Sequence, residues 1–190
     1  MLSAGPTVAM KQFKLDLSAR CLARAAMIAA IYAVLTRLIW AFASGAIQLR
    51  VSEALCVLPL IFPEAVPGLF VGCLLANILG GAHILDIVFG SLATLGAAFF
   101  TWKTGFKLPE ITNPKYWLSM VFPVLFNAVI TGTVVWYCYG FSGFGVSNSH
   151  MLKYLPLSML TVGAGEVISV YVLGTLLYLG LRKLPKSLLT

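Results

Sequence analysis

Acidic residues are scarce in this chain. It has six Asp and Glu among 190 residues, against thirteen Lys and Arg, and charged residues make up only 10%. A soluble domain averages about 25% charged, so an ordinary water-exposed surface is excluded. Catalytic signatures are missing too. The chain has no G-x-x-x-x-G-K-[ST], no H-E-x-x-H and no G-x-S-x-G, which removes P-loop nucleotide binding, zincin chemistry and the serine-hydrolase elbow. Cys21, Cys56, Cys73 and Cys138 show no C-x-x-C spacing. They read as small core residues rather than zinc ligands or a redox pair. No internal repeat is visible, which argues against an inverted-repeat transporter.

What is abundant is apolar. Hydrophobic residues are 60% of the chain, and mean hydropathy is +0.96. This is the composition of an all-α integral membrane protein. At about 20 residues per spanning helix, its length allows at most six or seven helices and no soluble domain of useful size. The apolar runs cover about Cys21 to Ala43, Val51 to Phe62, Val66 to Leu79, Ile84 to Trp102, Tyr116 to Tyr139 and Leu152 to Leu181. Pro63, Pro67, Gly80, Gly81, Pro109, Pro114 and a Gly/Ser/Asn stretch from Gly140 to His150 separate them. The expected organisation is a leader over 1–19, a six-helix domain over 20–182 and a tail over 183–190. The basic start precedes a run of helical length with no A-x-A exit, so no cleavable signal is expected. The second run is short. About 12 residues rise about 18 Å as an α-helix, well under the roughly 30 Å hydrocarbon core. The segment Ser44 to Arg50 is therefore expected to dip into the bundle and line or lid a pocket.

Basic residues give the orientation. Lys11, Lys14, Arg20, Arg24, Lys103, Lys107, Lys115, Arg182, Lys183 and Lys186 all fall on one side of a six-span arrangement. Arg37, Arg50 and Lys153 remain on the other. The positive-inside rule makes the first side, with both termini, cytoplasmic. The net charge of +7 is thus a topology signal, and nucleic-acid binding is excluded. Asp16, Glu64 and Glu110 fall on the cytoplasmic side, where water solvates them.

Glu53, Asp86 and Glu166 lie inside apolar runs. A charge near the bilayer centre costs about 2.5 kcal/mol or more, so each needs a partner, a cavity or a substrate. Arg50 and Glu53 are three apart and share a helical face; a structural ion pair and a ligand site both remain open. Glu166 follows Gly163 and Gly165 with no Lys or Arg within a turn, which favours a ligand or polar-network role. Asp86 is either a helix N-cap or a ligand group. His83, one turn away, reads as a loop residue rather than a metal ligand. Asn77 and Asn127 serve interhelical hydrogen bonding or ligand contact. Trp40, Trp136, Tyr137 and Tyr139 suit an interfacial belt. Ala25, Ala29 and Ala33, with Ala26 and Ala30 beside them, form a small-residue stripe for internal packing or for docking another membrane protein.

The segments Gln48-Leu-Arg-Val-Ser-Glu-Ala-Leu55, Pro63-Glu-Ala-Val-Pro-Gly-Leu-Phe70, Gly72-Cys-Leu-Leu-Ala-Asn77, Asp86-Ile-Val-Phe-Gly-Ser-Leu-Ala-Thr-Leu95 and Gly165-Glu-Val-Ile-Ser169 resemble the QueT family. Its members are substrate-binding S components of energy-coupling factor (ECF) transporters. The resemblance covers about Arg20 to Leu181. It implies an S-component-like six-helix bundle in a prokaryotic plasma membrane, surrounded by lipid, that takes up queuosine precursors: 7-deazaguanine derivatives, queuine or queuosine. It also implies a transmembrane coupling subunit docking on the Ala25, Ala29 and Ala33 stripe, and two cytoplasmic ATPases. No cofactor, metal or catalytic residue is implied. A guanine-type edge offers N1–H and an exocyclic NH2 side by side, and one carboxylate accepts both as a fork. Glu166 or Glu53 is the expected reader of that edge. Arg50, Asn77, Asp86 and Asn127 complete the expected site, and Phe89, Trp136 or Tyr137 would stack the flat ring. The alternatives are an S component for another vitamin-like ligand, an intramembrane enzyme using one of the acids, and an assembly subunit.

Overall fold

A computed structural model describes residues 18–39, 49–107, 109–139 and 152–184. The polar and breaker residues along the chain mark the element ends. Ser18 caps the first helix by accepting from the Cys21 N–H at 3.4 Å. Gly81, at φ +66°, closes the third in the left-handed conformation that glycine tolerates. Asn113 accepts from the Lys115 N–H at 3.0 Å, and Pro114 opens the fifth. Among the described residues there are six helices and no strand: α1 (Ala19–Leu38), α2 (Val51–Leu60), α3 (Ala65–Gly80), α4 (Asp86–Gly105), α5 (Pro114–Tyr139) and α6 (Leu152–Arg182). Four of them, α1, α4, α5 and α6, are long and apolar enough to cross a membrane.

The helices alternate in direction. At one end Arg24 of α1 pairs with Glu64 before α3 at 3.3 Å and lies 5.0 Å over the Phe62 ring. At the same end the Lys107 N–H after α4 donates to Leu60 O at 3.1 Å, and the Tyr178 hydroxyl of α6 donates to Pro109 O at 2.7 Å. Arg20, Arg24, Lys103, Lys107, Lys115, Arg182 and Lys183 gather at this end. Glu64, expected in water, is instead buried, because Arg24 and the turn fold over it. The opposite end brings Arg50 to Asp86 and the turn at His83 to Tyr139.

The short second segment occupies the middle. α2 is a 3-10 helix, and nine of its ten residues are buried. It touches each of the other five helices. Ten residues at about 2.0 Å each rise about 20 Å, so α2 does not need to match the bilayer thickness; protein covers its backbone. The sequence expectation of a segment too short to cross alone fits this placement. The expected lid over Ser44 to Arg50 lies outside the described residues except at its last two positions, as do Trp40, the stretch 140–151 and nearly all of the leader and tail.

α1 and α3 pack at very close range. A Cβ on Gly68 would stand 2.8 Å from Ala25 O, and one on Gly72 would stand 2.8 Å from Tyr32 Cβ and 3.0 Å from Ala29 Cα. Small residues on both helices allow this approach. The alanine stripe, open to internal packing or to docking, lies at this contact. Ala29 and Ala33 are buried and Ala25 lies against Gly68, so these alanines serve the α1–α3 contact. Ala26 and Ala30, with Leu22, Met27, Ile31, Val34 and Leu38, form the exposed face of α1.

Replacing Gly72 by Leu forces that contact apart. Overpacking of this kind costs about 1–3 kcal/mol, so Gly72→Leu should lower the thermal midpoint in detergent clearly. Gly180→Ala, where an added Cβ meets nothing within 4 Å, should leave the midpoint within error.

Candidate functional site

Three helices change winding where their polar residues sit. α4 has a π-helical turn over Asp86–Gly90, α5 over Asn127–Thr131 and α6 over Ile168–Gly174. π turns are rare and often mark functional positions. Asp86 and Asn127 begin two of them; Glu166 stands just before the third and Ser169 within it. The wide turn also changes which residues share a face. Asp86 and Gly90 are both buried, and a Cβ on Gly90 would lie 2.9 Å from Asp86 Oδ1. Glycine leaves that space to the carboxylate.

All three acids of the apolar runs are interior: Glu53 is 0%, Asp86 4% and Glu166 2% exposed. Their partners differ. Glu53 Oε1 accepts from the Tyr32 hydroxyl, and Glu53 Oε2 accepts from the Cys56 thiol at 3.0 Å. Beside it, the Thr36 hydroxyl donates to Ser52 Oγ at 2.8 Å and closes the α1–α2 contact. Arg50 pairs with Asp86 Oδ2 at 4.0 Å, not with Glu53 as the three-residue spacing predicted. Arg50 precedes α2 in extended backbone, at φ −99° and ψ 92°, so the helical i, i+3 rule does not apply to it. Asp86 is no helix cap either; it is drawn inward on Arg50. Glu166 has Glu53, Arg50 and Asn127 as its electrostatic neighbours. Its Oε2 has no hydrogen-bond partner among the described residues, and the same holds for Asp86 Oδ1 and Ser169 Oγ; the Asn127 amide faces the Glu166 carboxylate.

The two amides play different parts. Asn77 Nδ2 donates to Asp86 O at 3.2 Å and contacts Cys73 Sγ at 3.7 Å, tying α3 to the start of α4. Asn127 Oδ1 accepts from the Thr131 hydroxyl at 3.1 Å. That bond orients the amide so that its NH2 is left to donate elsewhere. The rings expected to stack a ligand mostly turn away. Phe89 is 46% and Tyr137 63% exposed, on the outer surface of α4 and α5; Trp136 is half-buried. For Phe89 the physical reason is the π turn, which points Asp86 inward and Phe89 outward.

Tyr32, Cys56, Thr131 and Ser169 belong to this polar interior and were not singled out from the sequence. Tyr32 sits in an uninterrupted apolar run, where an aromatic reads as core. Cys56 carried the signal of a small core residue. Outside the cluster, the His83 ring Nδ1 lies 3.3 Å from Cys138 Sγ, and the Tyr139 hydroxyl accepts from the His83 N–H at 2.7 Å. No set of three or more His, Cys, Asp or Glu among the described residues is arranged to hold a metal ion.

Helices long enough for a bilayer, wrapped around a buried set of unevenly satisfied carboxylates and amides, define a multi-pass membrane protein with an enclosed polar site. Within that class the chain belongs to the QueT transporter family, whose profile matches residues 22–183. It is therefore a membrane transporter for a small molecule, in a family of transporters rather than enzymes. No curated protein and no solved structure matched the chain.

Removing one donor to Glu53 should be costly. A buried acceptor left short of its partner loses about 1–3 kcal/mol, more when charged. Tyr32→Phe should lower the thermal midpoint of the purified protein, whereas Tyr137→Phe, on the exposed surface, should not.

Proposed function

We propose that this protein is the membrane-embedded substrate-binding subunit of an ECF-type importer for queuosine precursors. Its termini and the α4–α5 loop face the cytoplasm, all six helices lie in the membrane, and the polar interior between α2, α4, α5 and α6 takes a 7-deazaguanine. A coupling subunit and two ATPases supply the energy, which fits a chain without a nucleotide-binding loop.

One observation carries this reading. The Asn127 amide lies beside the Glu166 carboxylate, and Glu166 Oε2 is buried with no hydrogen-bond partner among the described residues. A guanine-type edge offers the complement. Its O6 accepts from the amide, while N1–H and the exocyclic NH2 donate to the carboxylate. The same pattern favours Glu166 over Glu53 as the reader of that edge. Glu53 already accepts from Tyr32 and Cys56, whereas Glu166 is open. Glu166 therefore reads the edge, Asn127 reads O6, and Glu53 holds α1 and α2 together beneath them.

The docking face for the coupling subunit is the exposed side of α1, around Ala26 and Ala30. Ala26→Trp should reduce copurification with the coupling subunit and leave ligand affinity in the isolated protein as it was.

Titration of the purified protein with 7-deazaguanines tests the ligand. Binding at micromolar concentration is expected, with no response to unrelated vitamins. Hydrogen bonds to charged groups contribute about 1.5–3 kcal/mol, so Glu166→Gln should weaken binding about 10- to 100-fold while the protein stays folded. Unchanged affinity in that variant removes Glu166 from the site; tight binding of an unrelated vitamin instead would replace the ligand.

A further inference from the structure

Resting on the reading of Glu166 as the ligand's acceptor, we infer that Glu166 is held as the neutral acid in the ligand-free protein and gives up its proton as a ligand enters. Binding is thereby linked to pH. Burial, pairing and hydrogen bonding together place the proton. Three acids lie inside the bundle, with Arg50 as their neighbouring cation among the described residues. A buried charge persists when it is paired and hydrogen-bonded; otherwise the group neutralises. Two of the acids meet that condition. Glu53 accepts on both oxygens, from the Tyr32 hydroxyl and from the Cys56 thiol at 3.0 Å. A carboxyl that only accepts is the ionised form. Asp86 has the Arg50 guanidinium 4.0 Å from Oδ2.

Glu166 is placed differently. α6 packs against α2 and α5. From α2 and the residue ahead of it, Glu53, Cys56 and Arg50 face Glu166, and α5 presents the uncharged amide of Asn127. Arg50 is already engaged by Asp86. Glu166 Oε2 is buried with no donor among the described residues. Ser169, three residues on, leaves its own hydroxyl without a partner, so it does not supply one. Neighbouring carboxylates ionise together only at a cost, and one proton on the pair removes it. That proton falls to Glu166, the acid with an unserved oxygen and no cation of its own.

Ligand entry reverses the balance. An edge with two parallel N–H donors needs both carboxylate oxygens as acceptors, and a protonated oxygen meets one of those donors head-on. The Glu166 O–H bond therefore breaks, its electron pair stays on the carboxylate, and one proton passes to water. Affinity is full where the ligand-free carboxyl is already ionised and falls as pH drops below that range. One released proton gives a slope of about tenfold in Kd per pH unit.

The probe is 7-cyano-7-deazaguanine, which is uncharged near neutrality. It is titrated calorimetrically into the full-length purified protein in phosphate and in Tris, whose protonation heats differ, over a series of pH values. The wild type should release about one proton per ligand bound. Glu166→Gln should release none and bind weakly with a Kd independent of pH, and wild-type affinity should converge on it at acid pH. Glu166→Asp, which keeps a carboxyl, should restore the release. Infrared spectra of the ligand-free proteins locate the proton: the C=O band of a protonated carboxyl should be present in the wild type and lost in Glu166→Gln, with thermal unfolding showing that the variant is folded. Tight binding with equal proton-corrected heats in both buffers overturns the inference, and so does a band that survives in Glu166→Gln. If the probe does not bind the folded wild type, the ligand reading falls and the linkage with it, while the band still decides whether Glu166 holds the proton.

Discussion

Charge imbalance in a low-dielectric interior is the constraint on which the rest of this structure turns. Among the described residues, Glu53, Asp86 and Glu166 are buried with Arg50 as their neighbouring cation. Removing an ion from water costs several kcal/mol, recovered only through close pairing and hydrogen bonds. The three acids meet that cost in three ways. Glu53 is enclosed by a hydroxyl and a thiol, Asp86 leans on Arg50 at long range, and Glu166 keeps an oxygen without a partner. A gradient of satisfaction runs across the site, from a closed structural group to an open one suited to a ligand.

The backbone is shaped to hold that arrangement. α2 is too short and too tightly wound to face lipid, so the other helices surround it and Glu53 comes to the centre. The π turns in α4, α5 and α6 then aim Asp86, Asn127 and Ser169 at the same interior. The α1–α3 contact is part of the same device. Gly72 meets Tyr32 Cβ directly, and Tyr32 is the donor to Glu53. The approach of two helices thus sets the position of the hydroxyl that satisfies a buried acid, which couples packing on one side of the bundle to electrostatics at its core.

Much of the architecture was legible in the sequence. All six apolar runs became helices, and Gly81 and the Asn113-Pro114 pair ended or began them where local backbone chemistry requires. The site was only partly legible. Glu53, Asp86, Asn127 and Glu166 were recognisable because a polar residue in an apolar run is anomalous in itself. Tyr32 and Cys56 were not, since an apolar run hides residues that carry both a hydrophobic body and a donor. The Arg50–Glu53 pairing, the outward turn of Phe89 and the burial of Glu64 eluded the sequence for a different reason. Arg50 lies in extended backbone ahead of α2, Phe89 in a π turn and Glu64 beside a distant arginine, and α-helical spacing rules describe none of these.

The sequence by itself determined that this chain is helical, membrane-like and carries costly acids, because hydropathy, glycine and proline act over a few neighbouring residues. Only the tertiary structure decided which acid is closed and which is open. Tyr32 reaches Glu53 across 21 positions, and Arg50 and Asp86 meet from different helices. Hydrogen-bond satisfaction is a property of atoms a few ångströms apart, and no local pattern along the chain encodes it.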